Sequence, residues 1–454
     1  MEQLEDFSRE ELIQIILELR RVNQRLQAEM EELKRRGGAA PFSKGKRKPD
    51  PKPPGRKPGQ GFFRFRGAPQ SVGVSEAIAV SVDGQCCPDC GGELGRARRE
   101  VVSTTDVPAQ PEPEVRCYAV EVRQCRRCGG TVRGRHPDIA PGQHGATAHR
   151  IGPRVKALAH ILHYVHGVPV RKTPAILEDL TGVRLTQGAI TQHALQQAGG
   201  AVGERYQALR ASVREQAVVH TDDTGWRVGG EGAFLMAFVN PALSVYQVRP
   251  RHRNEEVREL IPADFPGVMV CDRGRSYDAV ELEGVAQQKC LAHLIRNAAK
   301  VAKEKNGRAR QFASQFTELL RRALRLSADG AEMRLKDYCG QATALNDELT
   351  NLLRDRTLRD PDNQRLLNGA GSQQDRGSLL RFLSEDGVEP TNNRAERDLR
   401  PAVIARKVSH CSKNPNGARA FEAFISVLQT IRKTEPSTLA ASLTALISPQ
   451  PASG

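Results

Sequence analysis

The spacing of apolar residues changes character along the chain. Between residues 8 and 36, Leu12, Leu19, Leu26 and Leu33 recur every seven positions, and Ile16, Asn23 and Met30 each follow a leucine by four. A Ser8-x-x-Glu11 capping box opens this stretch and no Gly or Pro interrupts it. The pattern predicts a coiled-coil helix over 1–36, with Asn23 at one a position. A buried Asn there pairs best with its mate in a parallel dimer, so a homodimer or higher oligomer is expected. From 150 to 205 the period is helical. Val155, Leu158, Ile161, Leu162 and Val165 share a face over 153–165, and helices over 174–180 and 186–197 flank a turn at 181–185. This is a helix-turn-helix-like arrangement, although helical hairpins also occur in proteins that never meet DNA. From 215 the pattern becomes strand-like: 216–222, 226–228, 233–240 and 243–249, then a helix over 255–261 and a strand over 268–272. Residues 300–385 are charged and helix-forming without strand signals, and a last informative helix starts near 391.

These elements predict a multidomain α+β protein. Its expected parts are a coiled-coil dimerisation helix (1–36), a basic Pro/Gly-rich linker (37–74), a small zinc ribbon (75–140) and the helix-turn-helix-like DNA-binding region (150–205). They continue with a ribonuclease H-like α/β catalytic core (215–299 and 386–445), an all-helical insertion (300–385) and a disordered tail (446–454). Three hairpin-linked strands, a helix and a further strand is the order in which the first and fourth strands lie side by side.

Charge adds a partner class. The formal charge is +15, and residues 37–70 hold nine Lys or Arg against Asp50 alone. Such a stretch cannot bury apolar surface, and its cations suit phosphates without reading bases. Lys44, Lys46, Arg47, Lys48, Lys52, Arg56 and Lys57 are the candidate contacts. A spacer kept soluble by charge is the plainer alternative. The chain opens without a signal peptide and contains no apolar run of about 18 residues. A cytoplasmic, nucleoid-associated protein with no membrane partner is therefore expected. In a reducing compartment paired cysteines suggest metal before disulfides. Cys87-Pro-Asp-Cys90-Gly-Gly and Cys125-Arg-Arg-Cys128-Gly-Gly are two such pairs, and they predict a closed structural Zn²⁺ site of Cys87, Cys90, Cys125 and Cys128. Cys86 is an alternative to Cys87. Strand-like runs at 100–105 and 115–124 would form a long hairpin returning the second pair to the first.

Two apolar runs end on acids: EQAVVHTDDTGWR from 215 and GVMVCDRGRSY from 267. Taken singly, either carboxylate is an ordinary turn residue. Together with CLAHLIR from 290, TNNRAERDLRP from 391 and NGARAFEAFISVLQTIRK at 416–433, they make the chain resemble the DDE transposases of the insertion-sequence-sixty-six type. The cysteine pairs, basic linker and leucine repeat stand ahead of these motifs in that family's usual order. The resemblance implies a DNA transposase acting on the terminal inverted repeats of its element and on target DNA, with accessory proteins from the same element as possible partners. It implies catalytic acids Asp222, Asp272 and Glu396 holding two Mg²⁺ or Mn²⁺ ions. Asp223 stands where the family commonly has Glu and is the alternative to Asp222, and Glu389 is a weaker alternative to Glu396. His293, Arg296, Arg394, Arg397 and Arg400 are candidate phosphate contacts, each of which also suits an ion-pair ladder on a solvated helix such as Glu396 with Arg400.

Overall fold

The computed structural model describes residues 113–139, 142–354, 357–435 and 438–448, with scattered positions between 14 and 96. It separates into two units, 1–111 and 112–454. In the first unit the described residues of 18–24 are helical, and Leu19, Val22 and Leu26 are exposed. Most of the expected coiled coil, the basic linker with its seven candidate cations, Cys87 and the strand-like run at 100–105 lie outside the described residues. Among the described residues no helix is long and apolar enough to cross a membrane.

The second unit is mixed α+β. Its main sheet has the order β5-β4-β3-β6-β7, built from β3 (Val218–Val228), β4 (Glu231–Val239), β5 (Ser244–Arg249), β6 (Val268–Cys271) and β7 (Ala286–Lys289). A separate two-stranded hairpin pairs β1 (Val122–Gln124) with β2 (Thr131–Arg133). The first run of the long hairpin expected between the cysteine pairs, 100–105, lies outside the described residues, and the β1–β2 hairpin turns through Cys125 and Cys128.

Strands β3, β4 and β5 are antiparallel neighbours, whereas β3 and β6 run parallel with 218 opposite 268 and 220 opposite 270. The first and fourth strands of the sheet are thus adjacent. Gly267 enters β6 where a Cβ would stand 2.3 Å from the Gln216 carbonyl oxygen, so this approach of the two strands requires glycine. One sequence expectation needs correction, and one strand carries no signal in the sequence. β3 does not break near Gly225, because its backbone continues in the ladder with β4 and Gly225 stands opposite Phe234. The fifth strand, β7, reads Ala-Gln-Gln-Lys and has no apolar alternation. It is buried because its side chains find partners: Gln287 Nε2 donates to the Tyr277 carbonyl at 2.8 Å, Gln288 Nε2 donates to that of Leu379 at 2.9 Å, and Lys289 Nζ lies 2.7 Å from Asp278.

Ahead of the sheet come α1 (Pro153–His160, prolonged by a wider turn over Ile161–Val165), α2 (Thr173–Thr181), α3 (Gln187–Ala198) and α4 (Ala201–Ser212). The ends are set locally. Gly182 takes the left-handed conformation after α2, and the Thr186 hydroxyl caps α3 through the Ala189 amide. The helix α5 (Asn254–Arg258) follows β5. Between β7 and the last part of the core lie α6 (Leu291–Glu304), α7 (Gly307–Asp329), α8 (Leu335–Leu353) and α9 (Pro361–Asp375). The chain closes with α10 (Asn393–Ser409), α11 (Pro415–Thr434) and α12 (Leu439–Ile447).

Period-two alternation in β3 and β6 separates two cores. Val219, Met269 and Cys271 join the larger cluster with α1, α4 and α11, whereas Val268 and Val270 join a second cluster formed mainly with α6–α9. Helix α11 also covers the sheet edge. The outward amides of Ser244, Tyr246 and Val248 in β5 donate to Thr430, Ser426 and Glu422 respectively, three side chains spaced four apart on one helical face. These polar residues are buried because an edge strand leaves donors that must be satisfied.

Candidate active site

Asp222 and Asp272 each lie two residues beyond the last paired positions of β3 and β6, 220 and 270. The pleat decides which tandem acid points where, since successive side chains in a strand face opposite ways. His220, Asp222 and Thr224 belong to the face covered by α10. The Thr224 hydroxyl accepts from Arg406 of that helix at 2.8 Å, and His220 interacts with Asn392 at its N-terminus. Thr221 and Asp223 belong to the opposite face, where Thr221 Oγ1 is 3.5 Å from the Tyr277 hydroxyl and Asp223 Oδ1 is 3.0 Å from His252 Nδ1. Asp223 is therefore committed to His252.

Asn392 positions the start of α10. Its side chain is 1% exposed, its Nδ2 donates to the Thr221 carbonyl at 2.7 Å, and its amide donates to Cys290 Sγ at 3.2 Å. β3 at Thr221, the N-terminus of α6 and that of α10 thus meet at one residue, with Glu396 one turn further on. His293 of α6 lies with Nε2 3.9 Å from Glu396 Oε1. Contact with the Cys290 thiol raises the His293 imidazole above its ordinary value, burial works against this, and the Glu396 charge adds to it.

Asp222 senses the whole group. Its carboxyl is raised from 3.8 to about 7, above all by burial. The Asp223 amide works against this rise, and the charges of Asp223, Asp272 and Glu396 add to it. Asp272 Oδ1 accepts from the Gly274 amide at 2.7 Å, which fixes the turn after β6. Among the described residues no three His, Cys, Asp or Glu side chains are grouped as a ready-made metal site. The acids share one edge and one field without closing on a common point.

The cationic candidates divide. Arg296 is exposed on α6, and Arg397 and Arg400 are exposed on α10. Arg394 is instead ion-paired with Glu389, its Nε 2.9 Å from Oε1. That pairing occupies the alternative acid as well. Sequence reasoning did not single out His252 or Ser276. Neither belongs to a recognisable motif as a histidine or serine, and only the fold brings them to Asp223.

At the cysteine pairs, Gly129 follows Cys128 with φ +71° and Gly91 follows Cys90 with φ +73°. Each pair described by itself has the left-handed glycine that a tight thiol turn requires. Backbone amides of Cys128 and Arg127 hold the Cys125 thiol below its ordinary value, the direction that favours a metal-binding thiolate.

Comparison with known proteins gives one family. The model of the Transposase IS66 family matches residues 149–420, three-fifths of the chain, from α1 through the first turns of α11. No curated protein matches.

Proposed function

The chain belongs to the Transposase IS66 family, and from that premise we propose that it binds the ends of its insertion sequence and cleaves and joins DNA strands at Asp222, Asp272 and Glu396, carried by a ribonuclease H-like core. The observation that most supports this reading is the Asp222 carboxyl raised to about 7, with Asp272 and Glu396 among its causes. Carboxylates gathered at one place are what a bound cation offsets. Carboxylate oxygens are the donors that Mg²⁺ and Mn²⁺ take, so the residues fit the metals that the family implies. When bound, two such ions activate the attacking oxygen and stabilise the leaving one.

The chain's own residues have separate tasks. His293 faces Glu396 and orients it. Asn392 ties α10 to β3 at Thr221, so that Glu396 approaches Asp222 on one face of the sheet. Arg296, Arg397 and Arg400 bind phosphates flanking the cut. In the sequence of reactions, water attacks a phosphodiester at the element's end and releases a 3′-hydroxyl. That hydroxyl then attacks a target phosphodiester and displaces its 3′-oxygen, without a covalent protein intermediate.

The test is a transposition assay in which the DNA flanking the gene brackets a marker. Movement is expected with the native chain and not with Asp272→Asn. Movement with both would sink the assignment of the acid, whereas movement with neither, even when the element's other proteins are supplied, would count against the activity.

Two further proposals rest on the sequence motifs. Zinc at Cys87, Cys90, Cys125 and Cys128 predicts that Cys90→Ser with Cys128→Ser lowers the zinc bound per chain, and full retention would refute the ligand choice. The leucine repeat predicts that deleting residues 1–36 turns a dimer into a monomer in analytical ultracentrifugation, and a shortened chain that remains a dimer would refute it.

A further inference from the structure

Asp223, His252 and Ser276 form a hydrogen-bonded chain that links two strands of the sheet on the face away from α10. His252 Nδ1 lies 3.0 Å from Asp223 Oδ1, and His252 Nε2 lies 3.2 Å from Ser276 Oγ. The imidazole is largely buried, its side chain 13% exposed, and is packed between Phe234 at 5.9 Å and Tyr277 at 5.4 Å. One end of the chain is a β3 residue adjacent to Asp222. The other end is in the turn that follows Asp272. Neighbouring bonds make that turn a unit: Gly274 donates to Asp272 Oδ1 at 2.7 Å, and the Tyr277 amide donates to the Gly274 carbonyl at 3.1 Å. β3 and β6 pair only as far as 220 and 270, so no ladder bond between these two strands reaches the two acids.

We propose that His252 is a positioning residue, which ties the turn bearing Asp272 to β3 and thereby sets the separation of the Asp222 and Asp272 carboxylates. The inference rests on the reading of those acids as a divalent-cation site. The same three side-chain types in this order activate a serine in hydrolases. Here the hydroxyl belongs to the turn that carries an acid, and the consequence is mechanical. It also accounts for a tandem Asp-Asp in which one member faces α10 and the other does not: Asp223 anchors the strap.

The experiment measures Mn²⁺ binding to the full chain by calorimetry, without DNA. Groups that orient metal-binding side chains typically contribute about 10- to 100-fold to affinity. His252→Ala and Ser276→Ala should each weaken Mn²⁺ binding by about tenfold. The double variant should be no weaker than either alone within about twofold, because both break one chain. Ser276→Thr, which keeps the hydroxyl, should restore native affinity. Binding within twofold of native in Ser276→Ala would overturn the proposal, as would multiplying effects in the double variant. Labelling of Ser276 by a fluorophosphonate would also overturn it, in favour of a nucleophilic serine. The serine pair keeps the test decisive if His252→Ala does not fold. A native chain that binds no Mn²⁺, or one whose binding is unaffected by Asp222→Asn, would instead overturn the underlying cation-site reading.

Discussion

Asp272→Asn should abolish strand cleavage, by about 10³-fold or more, while leaving DNA binding within about threefold of the native chain. The asymmetry follows from where each kind of energy resides. Affinity for DNA comes mainly from cations spread over the surface and scales with the number of phosphates neutralised. Arg296, Arg397 and Arg400 are exposed on helices apart from the turn after β6, and the amide of Asn is close to Asp in volume. The substitution should therefore leave them in place. Cleavage depends on carboxylates placed to hold cations, and a contribution of several kcal/mol corresponds to about three orders of magnitude in rate. Gel-shift and cleavage assays on the same labelled element-end duplex measure the two quantities side by side. Residual cleavage above about a tenth of native would remove Asp272 from the catalytic set. Asp223→Asn provides the contrast, since Asp223 faces His252 and its amide oxygen still accepts from the imidazole. Its loss should be far smaller.

The parts of the fold that were legible in the sequence are those in which periodicity carries the energy. Val218, Val219 and Val268–Val270 read as strands because alternate residues bury on opposite faces, and the order of the strands put the first beside the fourth. The helices over 153–165, 174–180 and 186–197 were legible through their spacing and their end signals, Gly182 and Thr186. The stretch that forms α11 stood out only as a motif, and its sequence did not show why Glu422, Ser426 and Thr430 are buried, which is that they satisfy the amides of β5. β7 was illegible because Gln287, Gln288 and Lys289 are held by side-chain bonds to distant segments, and hydropathy assigns such residues to the surface. At the candidate site, motif position singled out Asp222, and local chemistry could not separate it from Asp223. The separation needs the pleat, and therefore the phase of the strand with respect to α10. His252 was invisible for a related reason: Arg251-His252-Arg253 reads as a solvated loop until β4 and the turn after Asp272 close around it.

Asp222→Asn should make the metal-free protein more stable at pH 8, even as it removes one of the proposed catalytic acids. Burial, with the charges of Asp223, Asp272 and Glu396, raises the folded-state carboxyl to about 7 from an ordinary 3.8. A raised carboxyl means that between about pH 4 and pH 7 the unfolded chain has released a proton that the folded chain still holds. Stability then falls as pH rises through that window, and the full penalty is present above it. The interval corresponds to about 4 kcal/mol at most, and about 2 kcal/mol once side chains and water relax around the charge. Asparagine carries no charge and avoids the penalty, so in EDTA at pH 8 the variant should unfold at higher urea than native, and the difference should vanish near pH 4. Adding Mn²⁺ should reverse the order, because a cation that binds the folded state raises its stability by mass action and the variant has lost a ligand. Urea melts at the two pH values, with and without Mn²⁺, read all four quantities. A variant less stable than native in EDTA at pH 8 would show that the acids are already balanced by the protein itself, and that the charge at this edge is not held in reserve for a metal.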